Sequence, residues 1–154
     1  MNMTRRGFIG ATAAAGAGFL AAPVSGQQGG SGLKRCEMKD PSKPLRVAII
    51  GLGRMGGGLM SSVAWTKLAK IVALVDPDPA MIRDAKRKLA SMKELAIDTN
   101  GIAEFDDYRE FYKQMADGVD AVFIATPNHH HLMPALLAFR NGIHAYIEKP
   151  LSFT

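Results

Sequence analysis

Between Leu45 and Ile147 the apolar and polar positions follow two periods that take turns along the chain. Val47 to Ile50 is an unbroken apolar run, as expected of a strand covered on both faces. Arg54 to Trp65 then reads as a helix. Ile71 to Val75 is a second apolar run, closed by Asp76. Asp78 can cap a helix with Pro79 at its first position, and Ile82, Ala85, Leu89 and Met92 recur on one face of it at spacings of three and four. Ile102 to Phe105 predicts a short third strand, with Asp106 or Asp107 capping a helix to about Ala116. Ala121 to Ala125 is the fourth strand. After Thr126-Pro127-Asn128 a helix runs from about His131 to Arg140, with Pro134 tolerated in its first turn and Gly142 closing it in the left-handed conformation. Ala145 to Ile147 is the fifth strand. Strand and helix repeating in this way need right-handed crossovers, so the fold class is α/β: a doubly wound parallel sheet with helices on both faces.

The first forty-odd residues have a different character. Thr4-Arg5-Arg6-Gly7-Phe8-Ile9 leads into an apolar run to Ala22 that is rich in Ala and Gly, and small residues follow at Val24-Ser25-Gly26. A charged head, a short apolar middle and a small-residue exit predict a signal peptide over residues 1–26, cleaved after Gly26. The run falls short of the roughly 20 apolar residues of a membrane span, so no stable membrane anchor is expected. The paired arginines before Phe8 fit the twin-arginine signal, which implies the twin-arginine export machinery as a partner and a periplasmic or secreted location. Residues 27–44, with "QQGGSG" and two prolines, read as a flexible leader. Cys36 is the single cysteine, which rules out an intramolecular disulfide and reads as an incidental thiol.

Gly51-Leu52-Gly53-Arg54-Met55-Gly56 is G-x-G-x-x-G directly after a strand and at the opening of a helix. The first glycine permits the tight turn, the second lets backbone approach a diphosphate, and the third brings helix and strand close. Asp76 ends the second strand twenty residues beyond Gly56, where a carboxylate accepts hydrogen bonds from ribose hydroxyls. Strand, glycines, helix, strand and acid together predict a dinucleotide-binding Rossmann domain over residues 45–154. A carboxylate at Asp76 repels a 2′-phosphate, so NAD is expected in preference to NADP, although Arg54 in the turn could blur that choice. Ligands in such sheets lie outside the carboxyl ends of the strands, which puts Thr126-Pro127-Asn128 and Glu148-Lys149-Pro150 along the same crevice.

With "VAIIGLGRMG", the acid at Asp76, "DAVFIATPNHHH" and "GIHAYIEKPLS" in this order and spacing, the sequence resembles the glucose-fructose oxidoreductase/inositol dehydrogenase (Gfo/Idh/MocA) family over about Leu45 to Thr154. The resemblance implies that Thr126, Pro127 and Asn128 line the cofactor, that His131 is the histidine of TPN-x-x-H, and that Glu148 and Lys149 lie beside the nicotinamide ribose and the substrate. It also implies an exported oxidoreductase that transfers hydride between nicotinamide and a sugar or cyclic polyol, with Lys149 as the catalytic residue that stabilises the alkoxide or relays its proton. Burial would suit a lysine to that task. One rival is a glycosidase of the same family, in which bound NAD oxidises the sugar transiently and is not consumed. Another is a non-catalytic nucleotide-binding fragment.

Two features depart from the family pattern. Gly57 and Gly58 make a flexible start to the helix, expected to loosen the phosphate grip. The family's second β-sheet domain, which holds the substrate, is absent from these 154 residues, so the chain by itself is expected to bind NAD weakly and to turn nothing over, with room for a homo-oligomer in a full-length protein.

The charge balance is +5, from 19 Lys and Arg against 14 Asp and Glu, and without Arg5 and Arg6 the count is 17 against 14. The cations are scattered, with no interleaved aromatics, so no nucleic-acid partner is expected. His129, His130 and His131 are consecutive at a helix start and cannot converge on one ion, so no metal is expected and the first two read as exposed. Lys86-Arg87-Lys88 reads as a solvated face.

Overall fold

The computed structural model describes residues 42–151. The expected signal peptide, most of the leader and Cys36 lie outside the described residues.

Five strands are present: β1 (Leu45–Ile50), β2 (Ala69–Val75), β3 (Ala103–Phe105), β4 (Ala121–Ile124) and β5 (His144–Ile147). They form one sheet in the order β3-β2-β1-β4-β5, and every neighbouring pair is parallel. The expected doubly wound sheet is what forms. β1 lies at its centre, and its alternation divides two cores. Val47 and Ile49 face one side with Met60, Leu74, Ile82 and Leu89. Ala48 and Ile50 face the other with Val75, Phe111, Val122, Ala135 and Ala138. A side chain such as Leu74 or Ile49, with no exposed area, contributes about 1.5–3 kcal/mol by burial.

Four helices cover those faces: α1 (Arg54–Thr66), α2 (Pro79–Ser91), α3 (Tyr108–Met115) and α4 (Leu132–Arg140). α2 starts where the sequence places it, with the Asp78 carboxylate accepting from the Ala80 amide at 2.8 Å and Pro79 at the first turn. Of the two aspartates considered for α3, Asp107 is the cap, accepting from the Arg109 amide at 2.8 Å. Pro134 falls within the first turn of α4, and Gly142 takes a φ of +68°. α1 runs unbroken through Gly57 and Gly58, so the glycines do not interrupt it. The basic cluster of α2 is partly engaged: Lys86 pairs with Glu104, Arg87 with Asp84, and Lys88 donates to the Gly57 carbonyl at 2.9 Å.

The boundaries shift at polar ends. β2 begins at Ala69 and β5 at His144, earlier than the apolar runs suggest, because parallel neighbours carry the ladder into less apolar residues. β4 ends at Ile124, since Ala125 has already left the strand even though its amide still donates to the Ile50 carbonyl at 2.8 Å. A 3₁₀ turn, Lys93–Leu95, follows α2 and has no sequence signal.

Candidate functional site: a crevice at the carboxyl ends of the strands

Gly51 has a φ of +87°, and a Cβ there would stand 2.6 Å from the Ala125 carbonyl oxygen. The residue is glycine for both reasons, conformation and approach. A Cβ on Gly56 would lie 1.8 Å from the Gly51 carbonyl oxygen. The third glycine therefore lets helix α1 rest on the turn itself, a closer fit than the expected packing on the strand. Gly53 is the opposite case: a Cβ would meet nothing within 4 Å. Packing does not demand glycine there, and the open space lies on the crevice side.

α1, like α4, starts without a side-chain cap. Asp78 and Asp107 cap α2 and α3, but Gly53 offers α1 no side-chain cap, and no acidic residue lies in its first turn. The unpaired N–H groups of a helix start and its positive dipole are left for an anion.

Asp76 is buried, and both carboxylate oxygens are engaged. One accepts from the Leu52 amide at 2.7 Å and the other from the Asp78 amide at 2.9 Å. The side chain expected to meet a ribose thus also fastens the glycine turn to the end of β2. Each oxygen retains lone-pair capacity for a further donor.

These groups border a crevice of about 950 Å³. Gly51, Gly53, Arg54, Met55 and Asp76 form one wall, with Pro77 and Met81 beyond the end of β2. The other wall is Thr126, Pro127 and His130 after β4, with Asp106, Tyr108 and Arg109 at the start of α3. Thr126 carries a buried hydroxyl with no hydrogen-bond partner among the described residues. An orphaned hydroxyl beside an open crevice fits a polar ligand that supplies the missing partner.

Not every expected residue lines this space. Gly56 and His131 sit behind the wall, both buried. His131 places Nε2 2.7 Å from the Thr126 carbonyl oxygen and Nδ1 2.8 Å from the Pro150 carbonyl oxygen, so its ring is spent on backbone. Asn128, Glu148 and Lys149 are not among the lining residues; Asn128 and Lys149 are exposed and Glu148 is half-buried. The burial expected for Lys149 is not provided within the described residues, because β5 is an outer strand and Lys149 follows its end.

Conversely, His130, expected to be exposed, is half-buried and meets the Tyr108 ring edge-on, centroids 5.3 Å apart. The 3₁₀ turn Asn128–His130 re-aims it, a geometry that a helix starting at His131 conceals. Tyr108 could have been found from sequence, since it follows the exit of the third strand, where ligands gather. Among the described residues no group of three or more His, Cys, Asp or Glu could hold a metal ion, and no helix is long and apolar enough to cross a membrane.

Comparison with known proteins adds three findings. The family model described as oxidoreductase family, NAD-binding Rossmann fold (Gfo/Idh/MocA) matches residues 45–154. A glycosyl hydrolase family 109 protein of Shewanella amazonensis is 30% identical over 99% of this chain and 34% of its own length, and a glycosyl hydrolase family 109 protein of Phocaeicola vulgatus is 36% identical over 69% and 20%. Among solved structures, the scyllo-inositol dehydrogenase of Lactobacillus casei with bound NAD(H) and scyllo-inositol is 33% identical, with a TM-score of 0.59 over 73% of this chain and 30% of that one. The chain spans about a third or less of the length of these relatives.

Proposed function

Because the chain belongs to the oxidoreductase family with an NAD-binding Rossmann fold, we propose that it is the cofactor-holding part of an exported enzyme acting on a sugar or cyclic polyol. The observation that carries this reading is the crevice, where open space at Gly53, the carboxylate of Asp76 and the orphaned Thr126 hydroxyl face one another. When bound, nicotinamide supplies a carbon that accepts or returns hydride. The chain's own residues do the rest. The uncapped start of α1 and the Gly53 backbone receive the diphosphate, Asp76 accepts from the ribose hydroxyls, and the Thr126 hydroxyl finds its partner. NAD is favoured over NADP because Asp76 repels a 2′-phosphate on the ribose, and neither Pro77 nor Asp78 offers a cation to receive it.

Lys149 is the residue we assign to the substrate hydroxyl, holding or relaying its proton at Nζ. It is exposed here, so it reaches that task only when further protein closes over the end of β5. Calorimetric titration of the 154-residue chain should show saturable, weak NAD binding, and no sugar or polyol should be oxidised until the remainder of a full-length protein is supplied. Turnover by the chain alone would defeat this division of labour, since orientation of the reacting carbon is worth about 7–11 kcal/mol of barrier.

A second reading is favoured by the relatives named glycosyl hydrolase family 109 protein: the same hydride step, run forward and back, would serve cleavage of a glycoside. Incubating a full-length protein with glycosides separates the two. Accumulating NADH supports the dehydrogenase; released aglycone with no net NADH supports the glycosidase.

Export rests on Arg5 and Arg6. Replacing both arginines by lysine should retain the precursor in the cytoplasm, and undiminished export of that variant would favour the general secretory route.

A further inference from the structure

His131 is 1% exposed, and both its ring nitrogens lie within hydrogen-bond distance of backbone carbonyl oxygens. A carbonyl oxygen only accepts. A neutral imidazole has one N–H and one bare lone pair, so it can satisfy one of these contacts and sets lone pair against lone pair in the other. Turning the ring by half a revolution puts carbon at both positions and gives up both contacts. Only a ring with a proton on each nitrogen makes two hydrogen bonds of 2.7 and 2.8 Å, lengths typical of charge-assisted bonds.

We propose that His131 is held doubly protonated and works as a charged tie between the exit of β4 and the exit of β5. The two acceptors belong to different segments: Thr126 follows β4, and Pro150 follows β5. The tie spans residues 19 apart in sequence, and beside it the Glu148 N–H donates to the Ile124 carbonyl at 3.0 Å. The start of α4 opposes a cation at this position, and the two carbonyl dipoles aimed at the ring offset that opposition. Titratable neighbours in the chain do not complete the ring's bonding: His129 and Lys149 are exposed, His130 turns to Tyr108, and Glu148 is half-buried. His131 is thus a positioning residue. It fixes Thr126 at the crevice wall, and, on the function proposed above, it fixes Lys149 through its neighbour Pro150.

The experiment needs no cofactor, so its outcome is independent of that function. The chain has four histidines. In the ¹⁵N-labelled chain at neutral pH, His131 should show a directly bonded proton on both ring nitrogens, as two hydrogen bonds to carbonyl oxygens require. A bare nitrogen on His131 overturns the charged tie. In His131→Phe, which keeps a ring and removes both donors, amide exchange at Glu148 should accelerate by about tenfold or more, with Gly51 unchanged. Unaltered exchange at Glu148 overturns the positioning role. Should that variant fail to fold, His131→Gln gives the same reading with one donor group in place of two, and the nitrogen measurement on the unaltered chain stands by itself.

Discussion

The two walls of the crevice are built on different principles. The turn-side wall is made by absent side chains: Gly51 and Gly56 bring backbone against backbone at distances no Cβ tolerates, and one carboxylate, Asp76, fastens the result. The far wall is made by side chains. Tyr108, His130 and Thr126 supply its surface, and the His131 ring braces it from behind. A wall of backbone fails when atoms are added, and a wall of side chains fails when they are removed.

Gly56→Ala should therefore be the most damaging change. Its Cβ would fall 1.8 Å from a backbone oxygen that has nowhere to go, and we expect a loss of about 3 kcal/mol or more in urea unfolding, or no folded protein at all. Retained stability would mean that the turn is softer than its geometry implies. Asp76→Ala comes next, weakening NAD by roughly 1–3 kcal/mol through lost ribose bonds and the stranded Leu52 amide. NADP should suffer less or gain. Calorimetry showing unchanged NAD affinity would remove Asp76 from the site.

Gly53→Ala separates fold from ligand. With a φ of −60° and nothing within 4 Å of the added methyl, unfolding should move by less than about 0.5 kcal/mol, while NAD affinity should fall by about tenfold because the methyl occupies the diphosphate's approach. A stability loss without an affinity loss would reverse the assignment.

The smallest effect belongs to the far wall. Asp107 caps α3, and Arg109, by its guanidinium first and its amide second, holds the carboxyl below its ordinary value of 3.8. A carboxyl whose folded value is depressed contributes stability above the unfolded value, and that contribution is lost as pH falls through the folded one. Asp107→Ala should thus cost about 1 kcal/mol at neutral pH, with the gap from the parent chain closing as pH drops below 3.8. A gap that stays constant into acid would show that the cap contributes nothing through its charge.

The turn-side wall was legible in the sequence because backbone geometry restricts residue choice: Gly51, Gly53 and Gly56 are spaced by the turn, and Asp76 by the length of one crossover. The caps at Asp78 and Asp107 and the left-handed Gly142 were legible for the same reason. The far wall was not, since which way a side chain points depends on a short 3₁₀ turn without a periodic signature. His130 comes into the crevice and His131 leaves it by that single turn. The double engagement of Asp76 was hidden too, because the Leu52 amide it accepts from is 24 residues away and any residue type supplies an amide.

The contact of Gly51 with the Ala125 carbonyl has a kinetic consequence. Turn and β4 exit touch through backbone, and each is bonded to β1 or its neighbour through the ladder, with Gly51 N–H to Val75 at 2.8 Å and Ala125 N–H to Ile50 at 2.8 Å. The mouth of the crevice at this point is set by van der Waals contact of backbone on backbone, which leaves it little room to widen or tighten around a nucleotide. Association then involves no ordering of the loop, and the entropy that a mobile phosphate loop would surrender on each encounter has already been spent in folding. Differences in affinity among turn variants of this chain should accordingly be carried by how fast the nucleotide leaves rather than by how fast it arrives.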